Sequence, residues 1–574
     1  MSRFGACCIQ LPAYSIDDPV DHWPEVLDRI DEALLLEPRV IVLPECTYPA
    51  YFLKSRPALR QGTRTPTWSA LEAISRKAAQ GRCLIAIGLV EEEGEAIYNS
   101  AFLVGSHGGL VGRCRKSFLW HFDRGWFSPG VGWQTYDTEL GSIGMLICAD
   151  GRMPEIARIL AVQGAQILLN PTAWVSSGAT MAELSNPQFD LLMPMRAIEN
   201  GLWVLSANKH GVEAQSIVYC GKSCIIDPQG RKRAVAGTDQ TEIICAEVDL
   251  DDGRSTTCLD GRHPHAYWIL SEPTRRLPAF RKISLPARAD NTLSVSALQI
   301  PGSNVGQYLG HIETLGEVLA PQDVDLAVCP ALEPGLEIAG TYDDAQREET
   351  TQRIGELAAR TGTVYLVELL QREGDRLYKA AAFISPEGLV GEYRQVHLRP
   401  DERTVFTPGS SLTSICNIKG ADVGVLMSTD MYLPESARCL MLAGADLIVW
   451  MNYSVLPYDM VFLRGRALEN RVYMVHADSV SAEKPGISAI VSPEGQIMAR
   501  ALQDRELAIS AQIFYPLARN KNMAPNTNAL LGRMPEAYSL LTQQRPEEAG
   551  EWQESVGDSV ADALDKAHYL LGPI

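Results

Sequence analysis

Two successive layered α/β domains are predicted by this sequence, on three observations. Short apolar runs of strand length alternate with longer stretches of helical periodicity, the pattern of sheets flanked by helices. The chain has 574 residues, more than a single hydrophobic core organises. The second half also repeats the first at the scale of a whole domain.

In chain order, residues 15–36 place Val20, Trp23, Val26, Leu27, Ile30 and Leu34 at helical spacing. Residues 40–43 form a fully apolar strand that ends in Pro44-Glu45. A second helix over 66–79 leads to a strand at 84–87. Residues 99–104 and 112–116 read as antiparallel strands joined by a turn at His107-Gly108-Gly109. The run Ile143-Gly144-Met145-Leu146-Ile147-Cys148 is apolar and turns polar at Asp150. Pro154 and Glu155 then suit the first turn of a helix, where a missing N–H and a negative charge are both accommodated. Cys148 is thereby placed on a strand-to-helix elbow. There a helix N-terminus stabilises a thiolate, and the sharp turn presents the sulfur to a cleft. A helix, a strand at 166–170, a helix through 195–200 and a strand at 202–206 complete the alternation, with active groups expected at strand C-terminal ends.

The repeat is legible motif by motif. Gly144-Met145-Leu146-Ile147-Cys148-Ala149-Asp150 pairs with Gly424-Val425-Leu426-Met427-Ser428-Thr429-Asp430, and Pro154-Glu155 with Pro434-Glu435. Arg196-Ala197-Ile198-Glu199-Asn200 pairs with Arg466-Ala467-Leu468-Glu469-Asn470. The offset drifts from 286 residues (Glu45 to Ala331) through 280 (Cys148 to Ser428) to 270 (Arg196 to Arg466), as small insertions and deletions produce. The predicted domains are 1–284 and 292–541, separated by the Pro/Ala/Arg/Asp stretch at 284–291. Residues 542–574 add an acidic linker and then a helix over 551–571, expected to dock on the surface.

A formal charge of −19 argues against nucleic acid or an anionic membrane as partner. No apolar run is long enough to span a bilayer, and the N-terminus lacks a basic-then-apolar leader. The 13 cysteines are scattered, without CxxC or Cys/His zinc spacing. That pattern predicts a cytoplasmic protein with free thiols and no structural metal.

Glu45, Lys116 and Cys148 each end or border a predicted strand, so all three can point into one cleft. The residue types are chemically coherent. A cysteine nucleophile needs a base, which a buried carboxylate supplies, and an ammonium stabilises the oxyanion formed at the attacked carbon. The residues around them are similar to a known family. Leu43-Pro44-Glu45, Arg115-Lys116 with Phe127-Ser128-Pro129-Gly130, and Ile147-Cys148-Ala149-Asp150 through Pro154-Glu155 resemble, in order and spacing, the three signature regions of the nitrilase (carbon–nitrogen hydrolase) superfamily. The resemblance covers nearly the whole chain as two copies. It implies tandem α-β-β-α sandwich domains forming an intramolecular pseudo-dimer, a Glu45-Lys116-Cys148 triad, no cofactor, and a small-molecule amide or N-carbamoyl substrate. It also admits a homo-oligomer of the pseudo-dimeric chain.

The family usually carries a fourth glutamate six residues before the Pro-Gly; here Asp123 stands there with a shorter side chain. True nitrilases usually follow the cysteine with Trp-Glu, whereas Ala149-Asp150 resembles the amidase and carbamoylase branches. Arg152 resembles an arginine that carbamoylases turn to a substrate carboxylate; pairing with Glu155 or solvent is its other reading. Trp120, His121, Trp126, Asn170 and Trp174 are candidates to line the cleft, though the aromatic residues suit a core equally. In the second copy the triad positions hold Ala331, Gln395 and Ser428, and only Glu402 keeps a family carboxylate. That half is expected to be inactive; the competing reading is a serine triad of Ser428, His397 and Asp430. Nitrile hydrolysis, acyl transfer to an amine, and a non-catalytic binding or regulatory role are the alternatives for the protein as a whole.

Overall fold

The computed structural model describes residues 2–543 apart from 252–258, 260, 303–304, 333–343, 454–455 and 482. It forms two compact units. The first comprises the residues up to Leu259 together with Ala524–Thr527; the second comprises Asp260–Met523 and the described residues from Asn528 onward. The division falls ahead of 284–291. The helix expected over 551–571 lies outside the described residues.

The first unit is built on two mixed sheets. The first sheet has the order β11 (Ile217–Cys220), β10 (Lys209–Glu213), β1 (Arg3–Pro12), β2 (Val40–Val42), β3 (Leu84–Glu93), β4 (Ala96–Val104) and β5 (Leu110–Arg115), with β14 (Glu242–Asp249) also paired to β1. The second has the order β13 (Lys232–Val235), β12 (Cys224–Ile226), β9 (Trp203–Ala207), β8 (Ile167–Pro171), β7 (Gly141–Met145) and β6 (Thr135–Thr138). β2 is buried at every residue, as its unbroken apolar run requires of a strand covered on both faces. Helices α1 (Trp23–Leu34) and α3 (Thr67–Gly81) turn Trp23, Val26, Ile30, Leu71 and Ile74 onto the first sheet, where they join Ile9, Ile41, Ile85 and Phe102 in one core. Helix α4 (Pro154–Val162) follows the elbow, and α5 (Met193–Asn200) packs on β9.

Most elements stand where periodicity put them. The helix anticipated over 15–36 occupies Trp23–Leu34, and the strand at 84–87 extends to Glu93. A short helix α2 (Arg56–Gly62) and a π-turn at Gln188–Leu192 had no sequence signal. The expectation of free thiols throughout is corrected: Cys7 is disulfide-bonded to Cys245. The two cysteines are far apart in sequence and face each other only because β1 and β14 pair antiparallel in that register. No helix among the described residues is long and apolar enough to cross a membrane.

The second unit has the same design. Its sheets run β19 (Gly388–Arg394), β18 (Arg376–Ser385), β17 (Val364–Glu373), β16 (Leu326–Val328), β15 (Thr292–Gln299), β26 (Leu507–Phe514), and β20 (Ile415–Ile418), β21 (Ala421–Met427), β22 (Leu447–Met451), β23 (Tyr473–Ala477), β24 (Ala489–Val491), β25 (Ile497–Arg500). Strand for strand this is the order of the first unit, except that the β10–β11 hairpin is reduced to the isolated bridges Ile300–Ser479 and Ser481–Lys484.

Candidate active site

Three strand ends meet in the first unit. Glu45 follows β2, and its N–H bonds the Thr172 carbonyl at 3.2 Å. Gly88 of β3 passes so close that a Cβ there would lie 2.7 Å from the Glu45 Cα, so only glycine permits the approach. Lys116 follows β5, with its N–H on the Asn99 carbonyl at 2.8 Å. Cys148 lies beyond β7 with φ 46, a left-handed conformation that costs a non-glycine residue about 1–3 kcal/mol and needs support from its surroundings. That support is present. The Cys148 N–H donates to Asn170 Oδ1 at 3.0 Å. The Gln188 side-chain amide, emerging from the π-turn, donates to the Cys148 carbonyl at 2.6 Å and accepts from the Trp174 indole N–H at 3.1 Å. Asp150 accepts N–H groups from Ile147, Ser117 and Phe118, tying the elbow to the strand end that carries Lys116.

The side chains make one buried chain of charges. Lys116 Nζ lies 2.7 Å from Glu45 Oε1 and 2.6 Å from Asp123 Oδ2, with all three residues fully buried. Asn99 Nδ2 adds a second donor to Glu45 Oε1 at 2.6 Å, while Glu45 Oε2 has no hydrogen-bond partner among the described residues. Burial opposes the charge on Lys116, but Asp123 and then Glu45 outweigh it and hold the ammonium well above its ordinary pKa. Burial, reinforced by Glu45, pushes the Cys148 thiol up to about 12, against the opposite pull of Lys116, the Thr172 hydroxyl and the Ala173 N–H. The resting site therefore sets a protonated thiol beside a charged Lys116 ammonium.

Asp123, despite its shorter side chain, reaches Lys116; the 3-10 turn His121–Gly125 brings it in, and Trp120 N–H fixes its Oδ2 at 2.8 Å. Arg152 is buried beside Cys148 and stacks on the Trp120 ring at 4.3 Å; among the described residues no carboxylate pairs with it. Burial lowers its pKa to about 10, which leaves it charged at neutral pH. Two further candidates take supporting positions. Asn170 spends its oxygen on the Cys148 N–H and its nitrogen on Ser206 Oγ at 3.0 Å, so it holds the elbow. Trp174 is fully buried and belongs to the core. Residues that no motif pointed to complete the site: Asn99, Gln188, and Tyr51, whose ring lies 5.5 Å from Lys116 Nζ and whose phenol faces Asp123. Their signal is purely spatial.

The corresponding position in the second unit is different. Ser428 keeps the elbow with φ 43, but its hydroxyl is buried without a hydrogen-bond partner among the described residues. His397 directs Nδ1 to Asp430 at 2.8 Å and Nε2 to the Tyr267 hydroxyl at 2.7 Å, so both ring nitrogens are engaged away from Ser428. The serine-triad reading fails on that geometry. Unanticipated is Lys379, which stands in β18 where β4 has Asn99. Its Nζ lies 2.9 Å from Glu402 and 3.9 Å from Glu368, so a carboxylate–ammonium–carboxylate set persists with two of its members on new positions.

Comparison with known proteins places both halves of the chain in one family. The sequence profile of the carbon-nitrogen hydrolase family matches residues 6–257 and again 294–519. A nitrilase of Pyrococcus abyssi is 35% identical over 194 residues, covering 33% of this chain and 74% of its own. A hydrolase encoded in the pqqF 5' region of Pseudomonas protegens is 30% identical over 269 residues, covering 44% and 93%. Omega-amidase NIT2 of Mus musculus is 28% identical over 259 residues, covering 44% and 90%. Among solved structures, a carbon-nitrogen hydrolase from Helicobacter pylori is 25% identical with TM-score 0.39, covering 44% of this chain and 90% of that one. Matched in both of its halves, the chain belongs to the carbon–nitrogen hydrolase family.

Proposed function

We propose that the first unit is a thiol hydrolase of carboxamide C–N bonds, amide or N-carbamoyl, acting through a covalent Cys148 intermediate. The observation that carries this reading is the buried Glu45–Lys116–Asp123 chain beside the Cys148 elbow. Because Glu45 Oε1 is held by Lys116 and Asn99, the unbonded Oε2 is the atom that takes the thiol proton as sulfur attacks the carbonyl carbon. Lys116, with the Ala149 N–H, balances the oxyanion; Asp123 keeps Lys116 charged and in place. Collapse expels ammonia or an amine, which receives the proton from Glu45. Water then gives a proton to Glu45 and attacks the thioester, and return of that proton to sulfur restores the thiol. A protonated resting thiol suits this scheme, since the base acts during attack.

The substrate side is read from Arg152. A buried guanidinium stacked on Trp120 and without a carboxylate partner among the described residues suits a substrate that brings its own carboxylate. Kinship with proteins named omega-amidases, and Ala149-Asp150 after the nucleophile, favour amides over nitriles. The test is ammonia release across carboxylated amides, simple amides, N-carbamoyl amino acids and nitriles. Carboxylated amides or carbamoyl compounds are expected to lead, Cys148→Ala to be inactive, and Arg152→Gln to raise KM about tenfold or more for carboxylated substrates only, the loss of one charge-assisted contact. Preference for nitriles, or turnover by Cys148→Ala, contradicts the reading.

A further inference from the structure

A second buried ion pair lies in the first unit, and the scheme above makes no use of it. Lys209 and Glu213 both come from β10 and are 1% and 0% exposed. Glu213 Oε1 accepts the Tyr51 N–H at 2.8 Å and the Phe52 N–H at 2.6 Å. Its Oε2 accepts the Tyr219 hydroxyl at 2.7 Å and lies 3.7 Å from Lys209 Nζ. Lys209 Nζ donates to the Cys46 carbonyl at 2.9 Å. The pair therefore grips both ends of one short stretch. Cys46 is the residue after Glu45, and Tyr51 is the residue whose phenol faces Asp123 and whose ring lies against Lys116. A displacement of that stretch would move the base and the neighbour of Lys116 together.

Stability alone does not account for such a pair. Desolvating two charges costs as much as their attraction returns, and well-packed apolar residues would hold a loop as firmly. The second unit supplies an internal control. Ser479 occupies the place of Lys209 there: it bridges Ile300 in parallel as Lys209 pairs with Leu11, and it follows β23 as Lys209 follows β9. Glu483, four residues further, is exposed, and the β10–β11 hairpin is reduced there to the isolated antiparallel bridge Ser481–Lys484. The copy without the base, the lysine and the cysteine is also the copy without the pair.

We propose that Lys209 and Glu213 are positioning residues for the chemistry at Cys148. Through residues 46–52 they aim Glu45 at the thiol and seat Tyr51 against Lys116 and Asp123. The inference rests on the proposed hydrolase reading, so its test carries a readout that needs no substrate: the rate of Cys148 alkylation by iodoacetamide, mapped by peptide mass in the full chain, alongside kcat, KM and the unfolding midpoint. Glu213→Leu and Lys209→Met are expected to slow alkylation and to lower kcat at least about tenfold, with KM changed less than about twofold, as misplacing a reacting group does. Glu213→Gln keeps an oxygen for the Tyr51 and Phe52 N–H groups and should stay within about threefold of the wild type on both measures. A folded Glu213→Leu or Lys209→Met that is alkylated and turns over at the wild-type rate overturns the proposal. If Glu213→Leu does not fold, Lys209→Met and Glu213→Gln decide it on the same terms. If the wild type is alkylated at Cys148 yet releases neither ammonia nor an amine from any amide or N-carbamoyl compound, the hydrolase reading fails, and the alkylation rates alone judge the positioning role.

Discussion

At the scale of single residues, the candidate site keeps Glu45, Lys116 and Asp123 buried together. With Cys148 pushed up to about 12 by burial and Glu45, and Lys116 held well above its ordinary value, neither group changes charge between pH 6 and pH 9. The sign follows directly. A raised thiol pKa keeps the proton on sulfur at rest: a thiol that ionised on its own at about 12 would gain about tenfold in reactivity per pH unit across this range, whereas proton transfer to Glu45 during attack, as proposed, leaves the rate nearly independent of pH. Alkylation of Cys148 should vary less than about twofold over that range, whereas a solvent-titrated thiol with pKa about 8.5 would gain nearly tenfold per pH unit below it. A climb of that kind would show that the thiolate forms without Glu45. Glu45, Lys116 and Cys148 were legible in the sequence because each sits in a short motif at a strand end. Tyr51, Asn99, Gln188 and the Lys209–Glu213 pair were not, because nothing local marks them; they reach the site through β-sheet register and a π-turn. Asn170 was legible as part of the site but not in its role, since only geometry shows its amide turned to the Cys148 N–H.

At the scale of elements, the two elbows share a backbone although their central residues differ. Cys148 and Ser428 share the same left-handed backbone, and each has its carbonyl held by a side-chain N–H, from Gln188 in one case and from Trp450 Nε1 at 3.0 Å in the other. The donors come from different elements, so the elbow is held by equivalent bonds and not by equivalent residues. The same holds for the buried charges. Lys379 in β18 replaces a lysine at the Gln395 position and keeps Glu402 satisfied, with Glu368 of β17 as second carboxylate. Lys379→Met should therefore destabilise the second unit by about 3–5 kcal/mol, the cost of leaving a buried charge without its partner. Chemical denaturation measures it, and an unchanged midpoint would mean that the set is dispensable. Reading the second half as chemically silent followed from Ala331, Gln395 and Ser428. The relocation did not, because Lys379 and Glu368 lie outside every motif.

At the scale of the whole molecule, the chain carries two units of one design, of which the first alone has Glu45, Lys116 and Cys148, the residues to which we assign the chemistry, and the paired strands β10 and β11 among the described residues. Strand and helix alternation and the domain-scale repeat were enough to predict that design. Which strands flank β1, and the Cys7–Cys245 bond that this register brings about, required coordinates. The central claim is that one of the two elbows performs covalent chemistry. It is tested most directly by rapid acid quench of the full chain during turnover of an amide, followed by intact-mass and peptide mass spectrometry. One acyl group per chain, located on Cys148 and absent from Cys148→Ala, is the predicted result. An adduct on Ser428, or sustained turnover with Cys148 never modified, would contradict it.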